Sequence, residues 1–260
     1  MYIDYEVADR IATITLNRPE AANAQNPELL DELDAAWTRA AEDSEVSVIV
    51  LRANGKHFSA GHDLRGGGPV PDKITLEFII QHEAKTLSGV HAAVAQRAQA
   101  VDRRGTGPLH LRWPAAVLAV RPDHRRRRRA VLRPVVLMGI GGVEYHGHTW
   151  ELGPRKAKEI LFTGRAMTAD EVAATGMVNK VVPRDQLDAE TRALAEQIAK
   201  MSPFALRQAK RAVNQTLDVQ GFYAAIQSVF DIHQTGHGNA LSVSGWPVLV
   251  NLDEMKANIQ

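Results

Sequence analysis

Cysteine is absent from this 260-residue sequence. That excludes disulfides and thiolate chemistry. No apolar run reaches the length of about 18 residues that a membrane-spanning helix needs, so no span is expected. The start, Met1-Tyr2-Ile3-Asp4-Tyr5-Glu6, lacks the basic residues and apolar segment of a secretory leader. A cytoplasmic protein is the default expectation. Apolar residues make up 45% of the chain, which is ample for a core. The length fits one large domain or a domain with an appendage.

One stretch lacks far more. Residues 88–134 contain no Ile, Phe, Tyr, Met, Asn, Lys or Glu. They hold 11 arginines against two acids, Asp102 and Asp123. The remaining residues carry 20 of the 31 basic and 28 of the 30 acidic side chains. The formal net charge of +1 therefore hides an acidic protein with an arginine-rich island. An arginine run can bind nucleic acid. Here it has no aromatic interleaving and no binding motif around it, so a nucleic-acid partner is not expected.

Around this island the chain is well patterned. Ile3–Val7 and Ile11–Leu16 flank the turn Ala8-Asp9-Arg10 and read as a β-hairpin. Asn26 and Pro27 suit the start of a helix that places Leu29, Leu30, Leu33, Ala36, Trp37 and Ala40 on one face. Val46–Ala53 reads as a buried strand, Gly66-Gly67-Gly68-Pro69 as a flexible loop and Lys73–Lys85 as a helix. Later helices are expected at Pro154–Phe162, from Thr168 to Gly176, and at Gln186–Lys200, Pro203–Thr216 and Gly221–His233. Met177–Val182 reads as a strand. Strands alternating with helices predict a layered α/β fold.

After the strand at 46–53 comes the turn Asn54-Gly55-Lys56 and then His57-Phe58-Ser59-Ala60-Gly61-His62-Asp63-Leu64. Small residues and a Gly at a strand end bring backbone N–H groups to a surface, where they can bind negative charge developing on oxygen. The same features also suit a plain connection. The octapeptide resembles the first half of the oxyanion hole of the enoyl-CoA hydratase/isomerase (crotonase) family. Leu16-Asn17-Arg18-Pro19-Glu20-Ala21-Ala22-Asn23-Ala24 resembles that family's N-terminal signature. Gly164-Arg165 through Gly176-Met177-Val178-Asn179-Lys180-Val181-Val182-Pro183 resembles its later helix–strand block.

The resemblance implies a crotonase-like ββα spiral over residues 1–195, with 88–134 anomalous, and a C-terminal helical trimerisation region over 196–260. It implies an acyl-CoA thioester substrate, coenzyme A entering only as part of that substrate, and a homotrimer or homohexamer. His62 N–H would be the first oxyanion donor. Ala21, Ala22, Ala24, Ala60, Gly61, Asp63 and Leu64 would line the substrate channel with it. The His62 imidazole has a rival reading as an acid/base.

The resemblance fails in the arginine-rich window, where the family carries its second oxyanion Gly-Gly. Arg112-Trp113 stand there instead. Leu109–Pro114 can be encoded so that dropping the first base yields Cys-Ile-Ser-Gly-Gly. Pro122–Arg133, moved one base, can yield Leu-Ile-Ile-Ala-Ala-Asp-Asp-Ala-Leu-Phe-Ser. Both strings resemble the family segments that belong there, so the window reads as a stretch out of frame. Hydratases of this family use two glutamates as acid and base. Val135 occupies one of those positions and the restored frame puts Leu in the other. Glu144, Tyr145 and His146, with His148 nearby, offer replacement acid/base groups. They can equally be polar residues at a helix start. His146, His148 and Glu144 lack a further ligand at metal spacing, so no metal is expected. Three functions follow: an acyl-CoA enzyme, a CoA-thioester binder with different or lost activity, or an arginine-rich nucleic-acid binder.

Overall fold

The computed structural model describes residues 1–63, 73–84, 100–102, 116–121, 129–131, 135–143, 146–250 and 254. Two strands, β1 (Ile3–Ala8) and β2 (Ile11–Leu16), form the expected hairpin. Asp9 and Arg10 both take positive φ, 53° and 65°. That is the geometry of a tight primed turn matching the twist of the flanking strands.

Helix α1 (Pro27–Glu42) starts as its sequence predicts: the Asn26 side chain accepts from Leu29 N–H and Pro27 opens the first turn. Strand β3 (Val48–Ala53) runs parallel to β2, so α1 is the crossover between them. Next come α2 (Leu76–Glu83), capped by Thr75, and three short strands, β4 (Ala100–Asp102), β5 (Ala116–Arg121) and β6 (Arg129–Val131). The main sheet has the order β1-β2-β3-β4-β5-β8, where β8 is Lys180–Pro183. All pairs after β1–β2 are parallel. A second small sheet pairs β6 with β7 (Met167–Thr168).

The arginine-rich window thus contributes β4, β5 and β6, although its composition gave no strand there. Ala116–Val120 is an unbroken apolar run, the pattern suited to a parallel strand covered on both faces.

The core follows the period-2 alternation of β3. Ile49, Leu51 and Ala53 join Ala12, Ile14 and Leu16 under the predicted face of α1, with Trp37 fully buried at its centre. Val48 and Val50 face the other way, with Ile11, onto Ala195 and Ala199 of α5 (Leu187–Ala199). The sheet is therefore a layer between helices. Burying a side chain the size of Leu stabilises by about 1.5–3 kcal/mol, so these two faces fix the register of β3 and where its C-terminal end emerges.

Helix α3 (His148–Thr163) is broken at Gly153 (φ 71°, ψ 159°), and its continuous part starts at Pro154 as expected. Helix α4 (Ala169–Ala174) has a capping box in which Thr168 and Glu171 satisfy each other's backbone N–H groups. Arg165 grips both oxygens of that Glu171 carboxylate, at 2.8 and 3.2 Å. Helices α6 (Pro203–Val219) and α7 (Phe222–Ser244) follow.

The sequence predicts a helix stopping at His233. The structure carries it on to Ser244, through Gly236 and Gly238. The glycines are tolerated because α7 lies close to its neighbours. A Cβ on Gly236 would sit 3.1 Å from the Ile140 Cα, and one on Gly238 would sit 3.3 Å from Leu76 Cδ2. Absence of a side chain lets the backbones approach. Among the described residues no helix is long and apolar enough to cross a membrane.

Candidate active site

Two loops meet at the C-terminal ends of β2 and β3. The first runs from Arg18 to Gln25 through a 3-10 turn, Pro19–Ala21. Ala22 and Asn23 then both take left-handed backbone, each with φ 53°. Asn tolerates this region, whereas for Ala it costs about 1–2 kcal/mol. The second loop is Asn54–Asp63, in which Gly55 and Gly61 have φ of 88°. Gly55 also passes so near the first loop that a Cβ would lie 2.7 Å from Pro19 Cβ.

Asn23 staples the loops together and is fully buried. Its Oδ1 accepts from Arg18 N–H at 2.8 Å, and its Nδ2 donates to the Asn54 and His57 carbonyls, both at 2.9 Å. Ser59 Oγ donates to the Asn23 carbonyl and accepts from Gly61 N–H. Arg18 Nη1 donates to the Asp63 carboxylate at 2.6 Å and to the Ala24 carbonyl at 2.9 Å. From across the sheet, Arg184 donates to the Gly55 and Lys56 carbonyls.

The backbone of the second loop is set by a parallel bridge between Gln25 and His62. Gln25 N–H donates to the Gly61 carbonyl (2.8 Å), and Asp63 N–H donates to the Gln25 carbonyl (3.0 Å). Ala60 N–H donates to the Ala22 carbonyl. The amides of Ala60, Gly61 and Asp63 are therefore engaged inside the two-loop unit. In a parallel bridge the partner bonds to the neighbours of the bridged residue, so the His62 N–H and carbonyl face away from Gln25.

The structure thus brings together Ala21, Ala22, Ala24, Ala60, Gly61, His62 and Asp63. Ala24 and Gly61 are buried, Ala60 is exposed, and the others are half-buried. Asp63 differs from a channel-lining acid in that its carboxylate is turned onto Arg18. Leu64, Glu144 and Tyr145 lie outside the described residues, as do Arg112 and Trp113. His146 is half-buried, with Nε2 3.1 Å from Thr149 Oγ1 and its ring 5.0 Å from that of His148. Val135 opens a 3-10 turn, Val135–Met138, as an aliphatic residue where a carboxylate was expected.

Sequence reasoning overlooked a second constellation. Glu83, His233 and His237 converge between α2 and α7, all three buried. The signal was available as the pair His233 and His237, one helical turn apart, but the expected helix end at His233 hid it.

Elsewhere, a cleft of about 540 Å³ lies between the end of α1 and α6 and contains none of the expected site residues. Lys210 lines it, half-buried, and burial pushes its amine down to about 7.

Residues 6–76 and 137–237 match the sequence model of the Enoyl-CoA hydratase/isomerase family. The chain belongs to that family. Crotonase-family relatives span nearly its whole length. A relative that bears the name "Putative enoyl-CoA hydratase EchA13", from Mycobacterium tuberculosis (strain ATCC 25618 / H37Rv), is 39% identical over 94% of this chain and 83% of its own. A Mycobacterium smegmatis crystal structure bearing an enoyl-CoA hydratase name is 71% identical, covers 96% of this chain and all of that one, and superposes with a TM-score of 0.88. A second, from Mycobacterium thermoresistibile, is 73% identical over 95% of this chain and 99% of its own, with a TM-score of 0.87. The fold is thus the crotonase fold, and this enoyl-CoA hydratase/isomerase family member is an acyl-CoA enzyme. The two-loop unit at Arg18–Asp63 falls inside the first matched block. The family match leaves out residues 77–136, which include the whole arginine-rich window.

Proposed function

We propose that the chain binds the thioester carbonyl of an acyl-CoA at the His62 amide and stabilises an enolate-like oxyanion there. The observation that carries this is the Gln25–His62 bridge, which fixes the loop backbone and sets the His62 amide on the side opposite Gln25. One such preorganised donor stabilises a transition state by about 2.7–4 kcal/mol. Ala21, Ala22, Ala24, Ala60 and Gly61 line the channel for the acyl-CoA, and the Asp63 carboxylate, held by Arg18, braces the loop beside it. Glu144, Tyr145 and His146 are the acid/base candidates. Coenzyme A arrives as part of the substrate, with no separate cofactor for the chemistry.

The assembly we propose is a homotrimer or homohexamer formed through the C-terminal helices, in the cytoplasm, with no nucleic-acid partner. In support, α6 buries none of its side chains within one chain, and Phe204, Val213 and Val219 on it are exposed. Apolar surface of this kind marks an association face. Light scattering of the eluting protein checks the assembly, and a monomer would contradict it.

A second reading is favoured by Val135 and by the unmatched residues 77–136: a CoA-thioester binder whose hydration chemistry is altered or lost. Hydration of crotonyl-CoA, followed by the absorbance of the conjugated thioester, separates the two. Turnover supports the first. Binding of crotonyl-CoA without turnover supports the second. Absence of both overturns the assignment of His62.

A further inference from the structure

We propose that Glu83, His233 and His237 form a binding site for a divalent transition-metal ion of the zinc class. His233 and His237 are one turn apart, so they project from the same face of α7. This i, i+4 histidine spacing is the one helices use to present two imidazoles to a single ion. Glu83, the last residue of α2, supplies a carboxylate opposite them.

The hydrogen bonds on the far sides of the rings set the tautomers. His233 Nδ1 is 3.2 Å from the Gly142 carbonyl, and His237 Nδ1 is 2.6 Å from the Pro247 carbonyl. A carbonyl oxygen only accepts, so each Nδ1 carries the hydrogen. In a neutral ring the lone pair is then on Nε2. The two Nε2 atoms face each other at 3.1 Å. They lie 3.2 and 3.3 Å from the Glu83 carboxylate oxygens. With metal–ligand bonds of about 2.0–2.2 Å, ligands at tetrahedral angles are about 3.3 Å apart. The observed separations are therefore those of three ligands already gathered around one centre.

Gln234 orients the carboxylate, donating to Glu83 Oε2 at 2.6 Å. Such outer partners are what fix metal ligands in place. Two ring nitrogens presenting lone pairs to each other beside a buried carboxylate call for positive charge between them. A metal ion and a shared proton are the two candidates. The metal is favoured because three donors converge and both rings are held in the ligating tautomer. Three protein ligands leave a fourth position for water or another small ligand. The ion would also pin α7 to α2 and to the turn at Gly142. Sequence reading foresaw no metal, having weighed only the cluster at Glu144, His146 and His148.

The test uses the full chain without a histidine tag, stripped by chelator and titrated with Zn²⁺ and Co²⁺. The proposal expects one equivalent per chain, a visible cobalt absorption band of tetrahedral type, and a rise in Tm on adding Zn²⁺. His233→Gln and His237→Gln should each weaken binding at least 100-fold, while His146→Gln leaves it unchanged. Gln234→Ala should weaken it about 10–100-fold, as loss of an orienting partner does. Should the histidine variants not fold, the wild-type stoichiometry, cobalt spectrum and Gln234→Ala still decide. Folded wild-type protein that binds neither ion at micromolar concentration contradicts the proposal and leaves the proton as occupant. So does a cobalt spectrum that persists in His237→Gln. These readouts are independent of acyl-CoA turnover, so they stand apart from the His62 assignment.

Discussion

Replacing Asn23 should unfasten the candidate active site more than any other single change in the two loops. Its side chain is fully buried and makes three hydrogen bonds, to Arg18 N–H and to the Asn54 and His57 carbonyls. At about 0.5–1.5 kcal/mol net for each bond, Asn23→Ala loses about 1.5–4.5 kcal/mol. Left-handed backbone at φ 53° costs an Ala about 1 kcal/mol more. The sum is about 2.5–5.5 kcal/mol, a large share of the roughly 5–15 kcal/mol that holds a domain together.

The sharper variant is Asn23→Asp. It keeps the shape and the acceptor for Arg18 N–H, but it points a carboxylate oxygen at two carbonyl oxygens in a buried place. It should be at least as damaging as Ala, while Asn23→Gly should be milder by about 1 kcal/mol because its backbone fits. Urea unfolding measures the stabilities, and isothermal titration with crotonyl-CoA measures the site. Affinity should fall at least tenfold in the Asp variant, since the loop bearing His62 hangs on those bonds. An Asn23→Asp protein within about 0.5 kcal/mol of wild type, below the net worth of one bond, would refute the reasoning.

Three other expectations can be checked separately. Gly61→Ala places a side chain at φ 88°, so it should lose about 1–2 kcal/mol in urea unfolding and raise KM for an acyl-CoA; an unchanged KM counts against the two-loop site. The Arg165 guanidinium and the Thr168 N–H hold the Glu171 carboxyl down to about 2, against an ordinary value of 4.5. Its folded pKa is depressed, so the stabilisation is complete above about pH 4.5 and disappears as pH falls towards 2. Because the side chain is partly exposed, the effect should be only about 1 kcal/mol, and Glu171→Gln should flatten that acid limb in pH-dependent unfolding. Finally, the nucleotide sequence across codons 88–134 should show two compensating single-base shifts. An uninterrupted frame would end that account of the arginine-rich window.

How much was legible in advance differed by region. Short-range chemistry read well. Asn26 and Thr168 cap the helices that their sequences predict, and the face Leu29–Ala40 of α1 is buried residue for residue. The clustering of Ala21, Ala22, Ala24 and Gly61 with His62 was also legible, through the resemblance to a known family. What holds them was not. Asn23 and Arg18 lie in the quoted signature, but their bonds reach 31–45 residues along the chain. Spacing alone gives no hint of such partners. The expected end of α7 at His233 falls short of Ser244, and the added stretch holds Gly236 and Gly238. Each glycine costs a helix about 1 kcal/mol, and close packing against Ile140 and Leu76 outweighs it. With the helix cut short, His237 fell outside it and the histidine pair went unseen. In residues 88–134 the arginine-rich composition gave no strand, whereas parallel strands need only short apolar runs, and 116–120 supplies one.

A crystal structure of the protein with a bound, non-reacting acyl-CoA analogue tests the central claim most directly. The account predicts the thioester oxygen about 2.7–3.1 Å from the His62 amide nitrogen, with the pantetheine passing Ala21, Ala22 and Ala24. An analogue bound elsewhere, or with its carbonyl turned away from that amide, would contradict it.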